Sequence, residues 1–356
     1  MLASDLHVHL DGSLRESTLV ELACERGAWP DSAPGREYAA RMRFGPGMSL
    51  RECLSRFEAT VALLQSADAL ARVAGELVED SYLDGARHLE VRLCPALHTR
   101  AGLSAEAVLE AVIAGLDDGV NAVGRAFPHD LVSARVIVTA LEGMTEDQAG
   151  SLVTLAARYR DGVCGVDLAG DETLFDAGRY GGLFSRARDA GLGITVHAGE
   201  AGGAEHVREA VIEYGARRIG HGVAAARNAA VMGLLAERGV VVEACLSSNV
   251  HTGAVGRIED HPLRTFLAHG VRVVIATDNR FFSSTTLSAE YDVARERLGV
   301  TEEEAGRMAV ESARAAFLSE AERGALEGLY AVAAGRVGPR MPGGRTGEPP
   351  RPGDGR

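Results

Sequence analysis

The chain contains no lysine: every one of the 37 side chains counted as Lys plus Arg is an arginine. Schiff-base catalysis, a P-loop lysine and a metal bridge built on carboxylated lysine are excluded with it. A disulfide framework is not expected either. Cys24, Cys53, Cys94, Cys164 and Cys245 are odd in number, scattered and form no C-x-x-C pair, the pattern of thiols buried as small apolar groups in a reducing compartment. Basic charge is in deficit, with 50 Asp plus Glu and a formal net charge of −13, which argues against nucleic-acid or anionic-membrane partners. No apolar run approaches the ~20 residues of a membrane span. Met1-Leu2-Ala3-Ser4-Asp5 lacks the basic-then-apolar order of a secretory signal, so the expected location is cytoplasmic. Residues 335–356 are dominated by Gly, Pro and Arg, and are expected to form a disordered tail.

What is present suits one large domain over residues 1–334, in a chain of 356 residues that is 46% hydrophobic and 24% charged. Short apolar, β-branched runs predict strands at Asp5–His9, Arg87–Cys94, Ala134–Leu141, Val163–Leu168, Leu192–His197, Arg217–His221, Val240–Leu246 and Val271–Thr277. Amphipathic stretches between them, such as Ala67–Leu83, Ala105–Val123, Asp147–Tyr159, Ala204–Tyr214 and Ala226–Glu237, predict helices. This alternation predicts an α/β fold, either a (β/α)8 TIM barrel or an open doubly wound sheet. The segment from Leu14 to Ala67 is long enough to carry a helical insertion after the first strand.

The polar residues favour the barrel. His7 and His9, Asp167, His197 and Glu200, His221, Asn249, Asp278 and Asn279 fall at the C-terminal ends of predicted strands. In a barrel these ends share one rim, and a single convergent pocket follows. His7 and His9 are two apart on a strand and therefore point the same way. His197-Ala198-Gly199-Glu200 offers a third imidazole and, after a tight turn, a carboxylate. Gly220-His221-Gly222 exposes one more ring between glycines. Asp278 ends a run so apolar that its charge calls for a partner or a cation. Three histidines and one aspartate suit zinc with a position left open. Without lysine to bridge two ions, one Zn2+ is expected.

These pieces, in this order, resemble the adenosine deaminase family of the amidohydrolase superfamily. The matching stretches are Asp5-Leu6-His7-Val8-His9-Leu10-Asp11-Gly12-Ser13-Leu14, Leu89-Glu90-Val91-Arg92 and Asp167-Leu168-Ala169-Gly170-Asp171-Glu172. They continue as His197-Ala198-Gly199-Glu200, Arg218-Ile219-Gly220-His221-Gly222, Ser247-Ser248-Asn249 and Thr277-Asp278-Asn279, spanning about residues 4 to 320. The resemblance implies a (β/α)8 barrel in which His7, His9, His197 and Asp278 bind zinc. It implies that His221 and Asp278 position and deprotonate the attacking water, while Glu200 protonates N1 of a 6-aminopurine. The implied reaction is hydrolytic deamination of a purine nucleoside, adenosine to inosine and ammonia.

Substrate contacts are implied as well. Asp11 would accept a hydrogen bond from the ribose 5′-hydroxyl, and Gly170 would offer its N–H to purine N3 where a side chain would obstruct approach. Asn279 stands where many members carry a second aspartate, and its amide can donate to N7 directly. Cys53, in the lid-like segment from Ser49 to Phe57, replaces an aromatic of some relatives and leaves room near the sugar. Both departures keep adenine, aminodeoxyfutalosine or a 5′-modified adenosine open as substrates; a non-catalytic nucleoside-binding protein is the reading from another class. His88, His98, His129, His206, His251, His261 and His269 match no motif position and are expected to be surface or locally bonded residues. Sequence says nothing of oligomeric state.

Overall fold

The computed structural model describes residues 1–29, 35–45, 47–176 and 178–335; the expected tail beyond Gly335 lies outside the described residues. Eight strands, β1 (Ala3–His9), β2 (Ala86–Leu93), β3 (Ser133–Leu141), β4 (Val163–Ala169), β5 (Gly193–Ala198), β6 (Arg218–His221), β7 (Val241–Ala244) and β8 (Arg272–Ile275), pair in parallel in chain order. The last returns to the first just past its end. Val8 bridges Asp278, the Asp278 N–H donates to the His7 carbonyl at 2.7 Å, and the His9 N–H donates to the Asp278 carbonyl at 2.7 Å. The sheet therefore closes into a (β/α)8 barrel.

The helices are α1 (Glu16–Glu25), α2 (Gly35–Met42), α3 (Leu50–Leu63), α4 (Ala67–Leu83), α5 (Ala105–Ala126), α6 (Glu146–Arg158), α7 (Gly181–Asp189), α8 (Ala204–Ile212), α9 (Ala229–Arg238), α10 (Leu246–His251), α11 (Leu263–Ala268), α12 (Leu287–Leu298), α13 (Glu302–Ala315) and α14 (Glu320–Ala333). Their sequences explain them. In α4 the buried residues Leu70, Val73, Ala74, Leu77 and Val78 recur at helical spacing and face the barrel. Ser49 with Glu52, Thr145 with Gln148, Thr301 with Glu304 and Ser319 with Glu322 form reciprocal caps that start α3, α6, α13 and α14. The insertion between β1 and β2 is helical, α1 to α4, and α3 lies across the barrel mouth. No helix among the described residues is long and apolar enough to cross a membrane.

Two predicted strands run too far. The seventh stops at Ala244 and the chain turns into α10 from Leu246, while the eighth stops at Ile275 before Thr277. The apolar pattern continues past each strand end because these residues stay buried at the rim, and burial alone does not distinguish strand from turn.

The barrel interior is not wholly apolar. Arg92 donates to Asp167 at 3.1 Å and to Glu243 at 3.0 Å; Arg218 donates to Glu243 at 2.6 Å and also pairs with Glu90. All five side chains are essentially buried. Charges so placed persist only because each has an opposite neighbour and several hydrogen bonds. This ionic layer forms a floor directly beneath the mouth.

Candidate active site

His7 and His9 rise from β1, His197 from β5, and Asp278 follows β8. One donor atom from each lies within 4.8 Å of the other three. The His9 Nε2 and His197 Nε2 atoms are 3.2 Å apart, and Asp278 Oδ1 stands 3.3 Å from His9 Nε2 and 3.5 Å from His7 Nε2. Donors about 2.0–2.1 Å from a tetrahedral ion are about 3.3 Å from each other, so the spacing fits such an ion. His7 Nε2 is buried without a hydrogen-bond partner. Its Nδ1 lies 2.7 Å from Glu243, and His197 Nδ1 lies 3.0 Å from Asp167. Both carboxylates anchor the far ring nitrogen and leave Nε2 as the bare donor, the arrangement that orients metal-binding histidines.

Local backbone serves this packing. A Cβ on Gly220 would lie 2.8 Å from His7 Cε1, so no larger residue fits there without moving that ring. His221 and Asp278 adopt φ of 65° and 59°, left-handed values that are strained for residues other than glycine. The strain turns both side chains into the rim at the strand ends. Gly170 has φ of 112°, whereas a Cβ there would make only ordinary contacts of 3.6 Å or more. Backbone conformation, not crowding by the protein's own atoms, therefore demands glycine at this position.

The cavity at the mouth has a volume of about 330 Å³ and is lined by His9, Asp11, Gly170, His197, Glu200, His221, Asp278 and Asn279 among others. His7 stands behind it. All the candidate residues thus meet in one place. Phe44, Phe57 and Phe282 pack together over its apolar side, with Phe44 stacked on Phe282 at 4.9 Å, and Cys53 also lines it.

Glu200 occupies the polar side. Its Oε1 accepts from the Thr252 hydroxyl at 2.7 Å and lies 3.5 Å from the Asn249 amide nitrogen. Burial first, then the negative charges of Asp278 and Glu172, push its carboxyl up to about 8. The loop carrying it is held by Glu172, whose carboxylate accepts from the N–H groups of Gly199 at 3.2 Å, Glu200 at 3.1 Å and Gly202. Asp11, 4% exposed, is pushed up to about 7 by burial, and its Oδ1 has no partner. His98 Nε2 is 3.8 Å from Oδ2 and is no donor in the neutral ring, because Nδ1–H donates to the Leu64 carbonyl at 2.9 Å.

Several supporting residues carry no local signal. Glu172, Glu243 and Thr252 act across 25 or more positions of sequence, and only the motif resemblance touches Glu172. Four of the unassigned histidines are not on the surface: His88, His98, His206 and His261 are buried, each beside a carbonyl, hydroxyl, amide or carboxylate. His261 has a partner on each ring nitrogen, and an imidazole so satisfied packs as well inside as out, which a lone histidine in sequence does not reveal.

Residues 3–331 match the family model described as adenosine deaminase. Adenosine deaminase of Erwinia tasmaniensis is 38% identical over 338 residues, covering 92% of this chain and 98% of its own. Among solved structures, adenine deaminase from Arthrobacter aurescens superposes with a TM-score of 0.84 at 25% identity, covering 94% of this chain and 99% of that one. The Arabidopsis N6-mAMP deaminase superposes with a TM-score of 0.82 at 27% identity, covering 93% and 98%. With a family match and full-length relatives spanning nearly the whole chain, this aminohydrolase belongs to the adenosine deaminase family.

Proposed function

We propose that the protein deaminates adenosine to inosine and ammonia, using one Zn2+ held by His7, His9, His197 and Asp278. The observation that carries this reading is Asp11, a buried carboxyl whose Oδ1 has no hydrogen-bond partner, in the same cavity as the histidine–aspartate cluster and Glu200. A ribose hydroxyl can donate to or accept from this carboxyl in either protonation state, whereas the ionised carboxylate repels a 5′-phosphate and free adenine has nothing to offer there. The cation supplies a Lewis acid that lowers the pKa of the water nucleophile towards ~7.

The chain's own groups do the rest. Glu200, protonated at neutral pH, donates to purine N1 and so makes C6 electrophilic. Its Oε1 is occupied by Thr252 and Asn249, which places the transferable proton on Oε2. Asp278 and His221 flank the attacking water, and Asp278 takes up its proton. Asn279 lines the cavity, and its NH2 is the donor for N7. The phenylalanine cluster covers the base and excludes bulk water.

The test is ammonia release from adenosine, adenine and 5′-AMP by the zinc-loaded protein, with Asp11→Ala alongside. The reading expects adenosine to be preferred, and Asp11→Ala to lose that preference mainly through KM. A wild-type preference for adenine or 5′-AMP overturns the role given to Asp11.

A further inference from the structure

His221 faces the cavity with one ring nitrogen, and a chain of hydrogen bonds behind it decides which. The backbone N–H of Leu263 lies 3.1 Å from His261 Nδ1. A backbone amide can only donate, so Nδ1 is the acceptor and the neutral His261 ring carries its proton on Nε2. That Nε2 lies 3.1 Å from Asn249 Oδ1, which accepts. The Asn249 amide nitrogen is then turned the other way, 2.9 Å from His221 Nδ1 and 3.5 Å from Glu200 Oε1. An amide nitrogen has two protons and no lone pair, so His221 Nδ1 accepts and its proton sits on Nε2. Reversing the amide would set NH2 against the His261 N–H, a repulsive contact in place of a bond. His261, Asn249 and His221 are 4%, 0% and 1% exposed, so water does not offer the alternative.

We propose that the Leu263 N–H, relayed through His261 and Asn249, holds His221 in the Nε2–H tautomer, so that His221 donates a hydrogen bond to the reacting oxygen instead of removing its proton. His261 and Asn249 are positioning residues in this arrangement, and His221 stabilises negative charge as it develops. The catalytic part of the inference rests on the deaminase reading; the tautomer does not.

The test is nitrogen-15 NMR of the full chain, zinc-loaded and labelled at histidine, with His221→Gln assigning the signals. His221 is expected to show a protonated Nε2 and a bare Nδ1 before any substrate is added. Asn249→Asp presents an acceptor to both rings, and is expected to move the His221 proton to Nδ1 and lower kcat by about 100-fold with KM little changed. His261→Gln keeps a donor towards Asn249 Oδ1 and is expected to retain the wild-type pattern. A proton on Nδ1, or on both nitrogens, in the wild type overturns the proposal even if the variants do not fold. A reversed tautomer with undiminished kcat overturns the donor role. Absent deamination with the expected tautomer counts against the deaminase reading alone.

Discussion

Replacing Glu172 by Gln probes how the proton donor is held. The Glu172 side chain is 2% exposed and accepts from the loop N–H groups of Gly199, Glu200 and Gly202 while lying 3.7 Å from His206. Burial alone would raise its pKa. The His206 side chain and the backbone donors outweigh burial and bring it from 4.5 down to about 2. At about 1.4 kcal/mol per pH unit, that difference corresponds to about 3 kcal/mol of preference for the ionised form in the folded protein. Gln has the shape of the protonated carboxyl, so Glu172→Gln forfeits about this much. The folded value lies below the unfolded one. The contribution is therefore complete above about pH 4.5 and is lost as pH falls through about 2. Urea denaturation at pH 7 is expected to show the variant about 3 kcal/mol less stable, with the gap narrowing on acidification. The same charge helps hold Glu200 up near 8, so its removal is expected to move the alkaline limb of kcat/KM to lower pH. Equal stability at pH 7 together with an unmoved alkaline limb would refute the role given to Glu172.

Glu200→Gln is expected to retain zinc by elemental analysis and to lose about 10²- to 10⁴-fold in kcat, the usual worth of a positioned acid; undiminished turnover removes it from the mechanism. In the wild type the alkaline limb of kcat/KM is expected no higher than about pH 8, because Glu200 must stay protonated and a bound cation lowers its pKa further. Dialysis against a zinc chelator is expected to abolish ammonia release and added Zn2+ to restore it; activity surviving in metal-free protein contradicts the assigned cluster. Arg92→Leu leaves Asp167 and Glu243 facing each other in the barrel floor, and is expected to cost about 3–5 kcal/mol in denaturant unfolding. A loss within 0.5 kcal/mol would mean that the floor tolerates unpaired charge.

The barrel was legible because its strands are short apolar runs at regular intervals, and because their polar ends needed a common rim. His7 and His9 were legible as a pair for a local reason, the two-residue period of a strand. Phe44 and Phe282, by contrast, meet over the cavity from the insertion and from the segment after β8, and neither sits in a pattern that announces the contact. Glu243 lies in an apolar strand and reads as an exception to it until Arg92, Arg218 and His7 are seen around it.

His221 shows where the boundary falls. Its residue type, and glycines on both sides, mark it in sequence as an imidazole at a strand end. Which of its nitrogens carries the proton depends on Asn249 and, behind that, on His261 and the Leu263 backbone, 28 to 42 positions away. Sequence alone determined the donor types and the strands that bear them, since both follow from side-chain chemistry and local periodicity. Only the closed barrel decided the partners of each donor, because hydrogen-bond direction, burial and charge compensation depend on distances between segments that no local pattern contains.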